Sequence, residues 1–446
     1  MPEPFLALLF AGLIGAPAAS ALIQTARLAF LPERREAVTV SLAVGALVAA
    51  GLSAFGLAAA ALTGPRALET GTWFHDQHYA FALHFVADGV SATYAIISLS
   101  LLLLIASFSR RYVHKEPGFH RFYLFLTLFG IGLLTVSVAG TLELLIIGWE
   151  IVGLMSVLLI AFFTTRPKPA KNALRAFTTY RLCDVGLIAA AILAHHAGGG
   201  ETFRLLNAHP WFGLRLDQES LAVGLLILLA AMGKAALFPF SGWLPRAMEG
   251  PTPSSAVFYG ALSVHLGPLL LMRAGDVIAA QPVVAAAVIA VGVLTAVTGR
   301  MIGRVQTDIK SRLAYGSITQ LGVIVAEVGL GLHALALFHI AAHASVRTLQ
   351  ILRAPSLLHD HQHLERMLGH PARAAPRGPA ASAFERWSYR FGIERGGLDT
   401  LLRDRIVFGV LGAVGRLDAI DRRVARRLAS GAASPLNVNT QERSAS

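Results

Sequence analysis

Long apolar stretches alternate with short polar ones along most of the chain. Runs of about 18–25 residues with few charges recur, each long enough to cross a hydrocarbon core of about 30 Å as a helix. They predict about eleven membrane helices, near 4–24, 39–63, 86–107, 121–139, 142–164, 174–197, 220–240, 253–273, 280–300, 311–331 and 333–352. The predicted fold class is therefore all-α: a polytopic membrane bundle with broken helices. The first run contains Gly15-Ala16-Pro17-Ala18-Ala19, as in a cleaved leader. It opens with Met1-Pro2-Glu3 and no basic region, so it reads as a retained span. The more polar stretch 64–85 reads as a loop.

From about 354 the character changes. The tail holds 14 Arg and nine acidic residues and contains a Pro/Ala/Gly-rich stretch at 371–382. Within it, 398–428 sets Leu398, Leu401, Leu402, Ile406, Leu411, Val414 and Leu417 beside Arg403, Arg405, Arg422 and Arg423. That pattern predicts an amphipathic helix lying on the membrane or on a partner, or else a small soluble helix. Three regions follow: N-terminal helices 1–79, a core 80–353 and a tail 354–446.

Composition sharpens the picture. Of 446 residues, 55% are hydrophobic and 14% charged, against about 25% charged in ordinary soluble domains. A soluble enzyme and a disordered chain are excluded. The lone Cys183 excludes an internal disulfide and a cysteine-ligated iron–sulfur cluster. Gly409, Gly412 and Gly415 have the wrong spacing and context for a dinucleotide fingerprint. No cofactor and no metal are expected, and three alternating histidines, His359, His361 and His363, read as a solvated linker rather than a metalloenzyme site.

The net charge of +12 would suggest nucleic acid in a soluble domain. Here it has a topological reading, because cytoplasmic loops carry excess Lys and Arg. Arg27, Arg34 and Arg35 follow the first helix, Arg110, Arg111 and Lys115 the third, Arg166, Lys168, Lys171 and Arg175 the fifth, and Arg300, Arg304, Lys310 and Arg312 the ninth. Basic residues on alternate loops place the N-terminus outside and the C-terminus in the cytoplasm.

A charge at the bilayer centre costs about 2.5–3.5 kcal/mol on insertion scales, so ionisable residues kept there are candidates for function. Glu150, Asp184 and Lys234 each lie inside an apolar run, and His265, Glu327, His339, His343 and Arg347 are further candidates. Glu150 and Lys234 read either as a static buried ion pair or as part of an ion path. Asp184, three residues after Arg181, shares a helix face with it and forms either a local pair or part of the same site. Glu327, near the end of its helix, reads as interfacial.

His339, His343 and Arg347 are spaced by four and form one stripe. Two histidines so spaced can ligate a metal, but no third ligand is evident. A proton relay gains weight in a membrane helix, since His titrates near neutral pH. Arg347 stays protonated and sets the field around them. Pro239 and Gly250-Pro251-Thr252-Pro253 interrupt the helical pattern. Either a helix simply ends at 238, or broken helices build an ion site near the midplane.

Five ordered motifs carry a resemblance over about residues 80–350. They are Gly148-Trp149-Glu150-Ile151-Val152-Gly153-Leu154; Gly233-Lys234-Ala235-Ala236; Trp243-Leu244-Pro245-Arg246-Ala247-Met248; Gly250-Pro251-Thr252-Pro253-Ser254-Ser255-Ala256; and Val305-Gln306-Thr307-Asp308-Ile309-Lys310-Ser311-Arg312-Leu313-Ala314-Tyr315. The Phe338-His339, His343 and Arg347 stripe follows them. In these the chain resembles the NADH-quinone oxidoreductase subunit L, or chain 5, family. That family comprises the antiporter-like membrane subunit of respiratory complex I and the large subunit of multi-subunit sodium/proton antiporters.

The resemblance implies that Glu150 is the helix-five glutamate paired with the helix-seven lysine, Lys234, gating proton transfer along a polar axis at mid-membrane. It implies that His339 and His343 are relay histidines, Lys310 a lysine on the broken-helix side, and Asp184 an acidic residue close to the ion pair. Arg347 stands where many relatives carry lysine. Tyr259 stands where a histidine is usual, with His265 six residues on. Later spans of the family, including a broken helix with an outlet-side lysine or glutamate, are not found, and the segment from Leu398 to Arg423 is faintly similar to the family's C-terminal end.

The expected function is a proton-translocating, antiporter-like subunit of a complex I-type or related assembly, without redox chemistry of its own. It would sit in a bacterial inner membrane with other membrane and cytoplasmic subunits as partners, moving protons or Na+. Two readings stay open beside it. One is a proton-conducting partner of a cytoplasmic zinc protein in energy-coupled inorganic-carbon uptake. The other is a structural membrane subunit that does not conduct.

Overall fold

The computed structural model describes residues 2–31, 35–76, 79–197, 218–368, 383–397 and 408–431. They fall into two units, 1–393 and 394–446. The first opens with α1 (Glu3–Phe30), α2 (Glu36–Ala61), the strands β1 (Arg66–Asp76) and β2 (Tyr79–Ala87), α3 (Gly89–Tyr112), α4 (Phe119–Val138) and α5 (Leu142–Ile160). It continues with α6 (Pro167–Ala197), α7 (Gln218–Lys234), short turns, α8 (Thr252–Ser255), α9 (Leu266–Arg273), α10 (Gly275–Ala280), α11 (Pro282–Gly303), α12 (Ile309–Gly329), α13 (His333–Leu368) and α14 (Ala383–Ile393). In the second unit, α15 (Phe408–Gly431) is the described part of the expected amphipathic helix, and 398–407 lie outside the described residues. It leaves Val414, Leu417 and Ile420 exposed, with Arg422 donating to Asp418 at 2.5 Å.

The chain is thus the helical membrane bundle its apolar pattern predicts. Among the described residues nine helical segments are long and apolar enough to cross a membrane, the interrupted Thr252–Arg273 among them, and Leu221–Lys234 is a shorter apolar helix. α12 carries Lys310, Arg312 and Glu327 and packs along α11 and α13. The close approaches are made by small residues, as in membrane helix pairs generally. A Cβ on Gly148 of α5 would lie 2.6 Å from the Gly132 carbonyl of α4, and one on Gly322 of α12 would lie 2.5 Å from the Gly292 carbonyl of α11. Helix starts are capped by polar side chains. Asp88 and Ser91 form a capping box on α3, and the Thr141 hydroxyl and Asp308 carboxylate accept backbone N–H groups of α5 and α12.

Three elements differ from the sequence reading. The stretch 64–85 is not a plain loop. β1 and β2 pair antiparallel from Arg66↔Ala87 to Asp76↔Tyr79, with register shifts between Thr70 and Thr72 and between Thr72 and Phe74. The period-two signal is short: Ala82, His84 and Val86 point inward, while β1 is largely exposed. The expected span 253–273 is no continuous helix. After α8 the backbone widens into a π turn (Ala256–Ala261), tightens at Ser263–His265 and resumes as α9. Finally, α13 runs past its expected end at 352 to Leu368; the side chains of 355–366, His359, His361 and His363 among them, lie outside the description.

Candidate functional site

α7 ends abruptly at Lys234, short of the expected span end at 240 and of the alternative end at 238. The Leu237 N–H donates to the Met232 carbonyl at 2.9 Å and the Ala236 N–H to Gly233 at 3.4 Å. This is a Schellman end, with Ala236 at φ 53° in the left-handed position that glycine usually takes. A residue with a Cβ there costs roughly 1–2 kcal/mol. The freed backbone groups find protein partners, as a break at membrane depth requires. Trp243 Nε1–H donates to the Gly233 carbonyl at 3.0 Å, and the Phe238 N–H to Thr295 Oγ1 of α11 at 2.9 Å.

The break leaves Lys234 fully buried. Its ammonium donates to the Trp149 carbonyl of α5 at 3.0 Å. It sits 4.8 Å from the Trp149 ring centroid and 4.7 Å from that of Tyr180, both within cation–π range. Gly153 closes the cage, because a Cβ there would lie 2.8 Å from the ammonium.

Glu150 does not form a direct ion pair with Lys234. Its carboxylate accepts from Arg181 of α6, which also donates to Asp184 at 2.8 Å. The other oxygen of Asp184 accepts from Trp149 Nε1–H at 2.6 Å. The reason is reach: Arg181 spans both carboxylates, while the Trp149 carbonyl takes the lysine. The local Arg181–Asp184 pair read from the sequence is present, within a larger chain Glu150–Arg181–Asp184–Trp149–Lys234.

Polar groups continue from the cage. The Tyr180 hydroxyl, buried with no hydrogen-bond partner among the described residues, lies near those of Ser156 and Ser263, which are 3.4 Å apart. Two residues on, His265 Nε2 meets His343 Nδ1 of α13 at 2.9 Å. His343 Nε2 is buried with no hydrogen-bond partner among the described residues. One turn back along α13, His339 Nδ1 lies 3.0 Å from Glu327 Oε1, and its Nε2 lies 3.0 Å from Gln320 Oε1. With a carboxylate on one side and an amide on the other, this ring is held in either form. The imidazolium donates to both, and the neutral ring needs only the amide to turn.

Glu327, in the last turn of α12, pairs with His339 and ends this line. The other expected residues stand apart from it. The Arg347 guanidinium lies against Gly316 of α12, where a Cβ would be 2.9 Å from it. Lys310, in the first turn of α12, is half-buried, and no described hydrogen bond or ion pair ties it to the line. Tyr259 lies in the π turn and its side chain is outside the description. Among the described residues no group of three His, Cys, Asp or Glu could hold a metal ion.

Sequence reasoning missed Tyr180, Ser156, Ser263 and Gln320, and missed the reach of Arg181 to Glu150. Only Gln320 carried a usable signal: it lies two turns before Glu327, on the same face.

Residues 139–372 match the family model of the NADH:quinone oxidoreductase/Mrp antiporter transmembrane region, and residues 73–123 match that of the complex I chain 5 N-terminus. The chain belongs to this family. It is 33% identical over 302 residues to NAD(P)H-quinone oxidoreductase chain 5 of Synechocystis sp., covering 67% of this chain and 44% of that one. It is 32% identical over 306 residues to NADH-ubiquinone oxidoreductase chain 5 of Schizophyllum commune, covering 68% and 44%. The antiporter-like chain thus spans under half the length of these relatives. A chain of the Mrp complex from Dietzia sp. superposes with a TM-score of 0.67 at 26% identity, over 83% of this chain and 38% of that chain. A chain of an archaeal membrane-bound sulfane sulfur reductase shares the fold, with a TM-score of 0.65 at 20% identity over 86% and 77%.

Proposed function

We propose that this chain is the proton-translocating, antiporter-like membrane subunit of a hetero-oligomeric complex. One observation carries the reading: the line of protonatable and hydroxyl side chains from Glu150 and Lys234, through Tyr180, Ser156, Ser263, His265 and His343, to His339 and Glu327. Glu150 and His343 lie near the middle of their spans, and Glu327 lies in the last turn of α12. The line therefore runs from mid-membrane toward one face.

Lys234 supplies a proton to the hydroxyl cluster. His265 and His343 pass it between facing ring nitrogens, and His339 delivers it to Glu327. Glu150, released from Arg181, recharges the lysine. Arg181 and Arg347 carry no proton onward, as arginine stays charged, so their part is to set the field. Asp184 keeps Arg181 and Trp149 in place.

The side chains of Glu150 and Arg181 remain 32% and 39% accessible. A charged pair at that depth needs protein or water beside it rather than lipid. Cover by a neighbouring membrane subunit would meet that need, in keeping with a multi-subunit assembly. The loop charges support an N-terminus outside, so that the Glu327 end of the line faces out.

The test is proton uptake into proteoliposomes carrying the purified complex. Glu150→Gln and Lys234→Ala are each expected to abolish it while leaving subunit composition intact. Unchanged uptake in both variants would establish a scaffold role instead, and uptake strictly dependent on Na+ would reassign the ion.

A further inference from the structure

The ends of α2 and α3 that lie on one side of the bundle enclose a groove of about 930 Å³ that the proton line does not use. Its walls include Val40 and Val44 from the first turns of α2 and Phe108 from the last turns of α3, with Arg110, Arg111 and Tyr112 where α3 ends. Val44 stands eight residues inside the start of α2, so the walls reach about 12 Å into the span. Apolar surface therefore continues inward from a rim that carries two guanidinium groups.

Among the described residues, the charge at that rim is not neutralised from within. Glu36, the nearby acid of α2, is held by His114 Nδ1 at 2.6 Å and by the Lys115 N–H at 3.0 Å. Among the described residues no carboxylate pairs with Arg110 or Arg111. The Tyr112 hydroxyl is already committed, bonding Thr252 Oγ1 at 2.9 Å at the start of the broken helix. An occupant must therefore be anionic at the rim and apolar below it, and must approach from the membrane boundary.

We propose that this groove binds an anionic phospholipid. Its phosphate lies between Arg110 and Arg111, and one acyl chain lies along Val40, Val44 and Phe108. Paired basic residues beside an apolar wall at a span end suit that chemistry, each charge contributing about 1 kcal/mol near an anionic surface. The lipid touches Tyr112, which is bonded to the segment that opens the broken helix.

Native mass spectrometry of the purified complex, delipidated and then titrated with phosphatidylglycerol or phosphatidylcholine, tests this. The wild type is expected to retain phosphatidylglycerol in preference to phosphatidylcholine. The double variant Arg110→Gln/Arg111→Gln should lose that preference by about tenfold or more. Val44→Trp, which fills the groove and leaves both arginines in place, should lower phosphatidylglycerol retention as well. Equal retention of phosphatidylglycerol in all three proteins would overturn the proposal. So would its complete displacement by inorganic phosphate, which would mean a free-anion site, or a photo-crosslink from position 107 to a partner subunit.

Discussion

At the scale of single residues, Lys234 is held in place by neighbours on several sides. The Trp149 carbonyl and two aromatic rings hold the ammonium, and Gly153 leaves it no spare room. A hydrogen bond to a charged group contributes about 1.5–3 kcal/mol. Gly153→Ala is therefore expected to push the ammonium off its carbonyl and cut proton uptake by about tenfold or more. Gly45→Ala is the control: a Cβ on Gly45 meets nothing within 4 Å, so uptake should match the wild type. Equal activity in the two alanine variants would show that the cage does not position the lysine. His343 stands next in the line. His343→Phe keeps a ring of similar size but offers no nitrogen to His265, and uptake is expected to fail although the complex assembles, as checked by gel filtration. The ionisable members of the line were legible in the sequence because charge in an apolar run is conspicuous. The hydroxyls and Gln320 were not, since Ser, Tyr and Gln are ordinary in membrane helices and only the fold brings them together.

Elements explain why the line survives at membrane depth. A broken helix exposes backbone groups, and here the break after Lys234 is closed by Trp243 and Thr295. Trp243→Phe leaves the Gly233 carbonyl with only the long 3.4 Å bond from Ala236. We expect a loss of about 1–3 kcal/mol, read as a lower thermal midpoint in detergent, and Thr295→Val should act similarly through the Phe238 N–H. The proline and glycine motifs announced that helices break near 239 and 251, because those residues act on the backbone directly. They did not announce the π turn at 256–261, whose sequence Ala-Val-Phe-Tyr-Gly-Ala carries no proline and no charge to mark it. At the junction of β2 and α3, the Asp88 carboxylate receives Arg273 at 2.5 and 3.1 Å, joining α3 to α9. Burial alone pushes this carboxyl up, but the Arg273 guanidinium and the bonds from Arg273 and Ser91 outweigh it and hold it below its ordinary value. A lowered folded value means the stabilisation is present above about pH 4, where the unfolded group is ionised, and is lost as pH falls through the folded value. Asp88→Ala should cost about 3–5 kcal/mol at neutral pH, because it strands a buried guanidinium. Thermal midpoints measured from pH 7 down to acid should converge for the variant and the wild type; parallel curves would assign the acid dependence elsewhere.

For the molecule as a whole, burial follows chemical need. Of an apolar 18-residue stretch in each span, 93% is buried in the interrupted segment Thr252–Arg273, 78% in α4, and 28% in α2 and in α11. Irregular backbone and polar side chains occupy the centre, and regular apolar helices form the rim, where every backbone group is satisfied within its own helix. That radial order gives no sign of which face is which; loop charge alone carries the orientation. The sequence offers a clean way to test it, because Cys183 is the chain's one cysteine and it is fully buried against α7. A wild-type background should therefore stay silent toward a thiol reagent that cannot cross membranes. Gly71 of the β-hairpin and Glu116 of the turn between α3 and α4 are both exposed and lie at opposite ends of α3. With the N-terminus outside, Gly71→Cys is expected to label in intact cells and Glu116→Cys only after the membrane is opened. The reverse pattern would invert the direction assigned to the proton line, and labelling of both in intact cells would remove the membrane span between them.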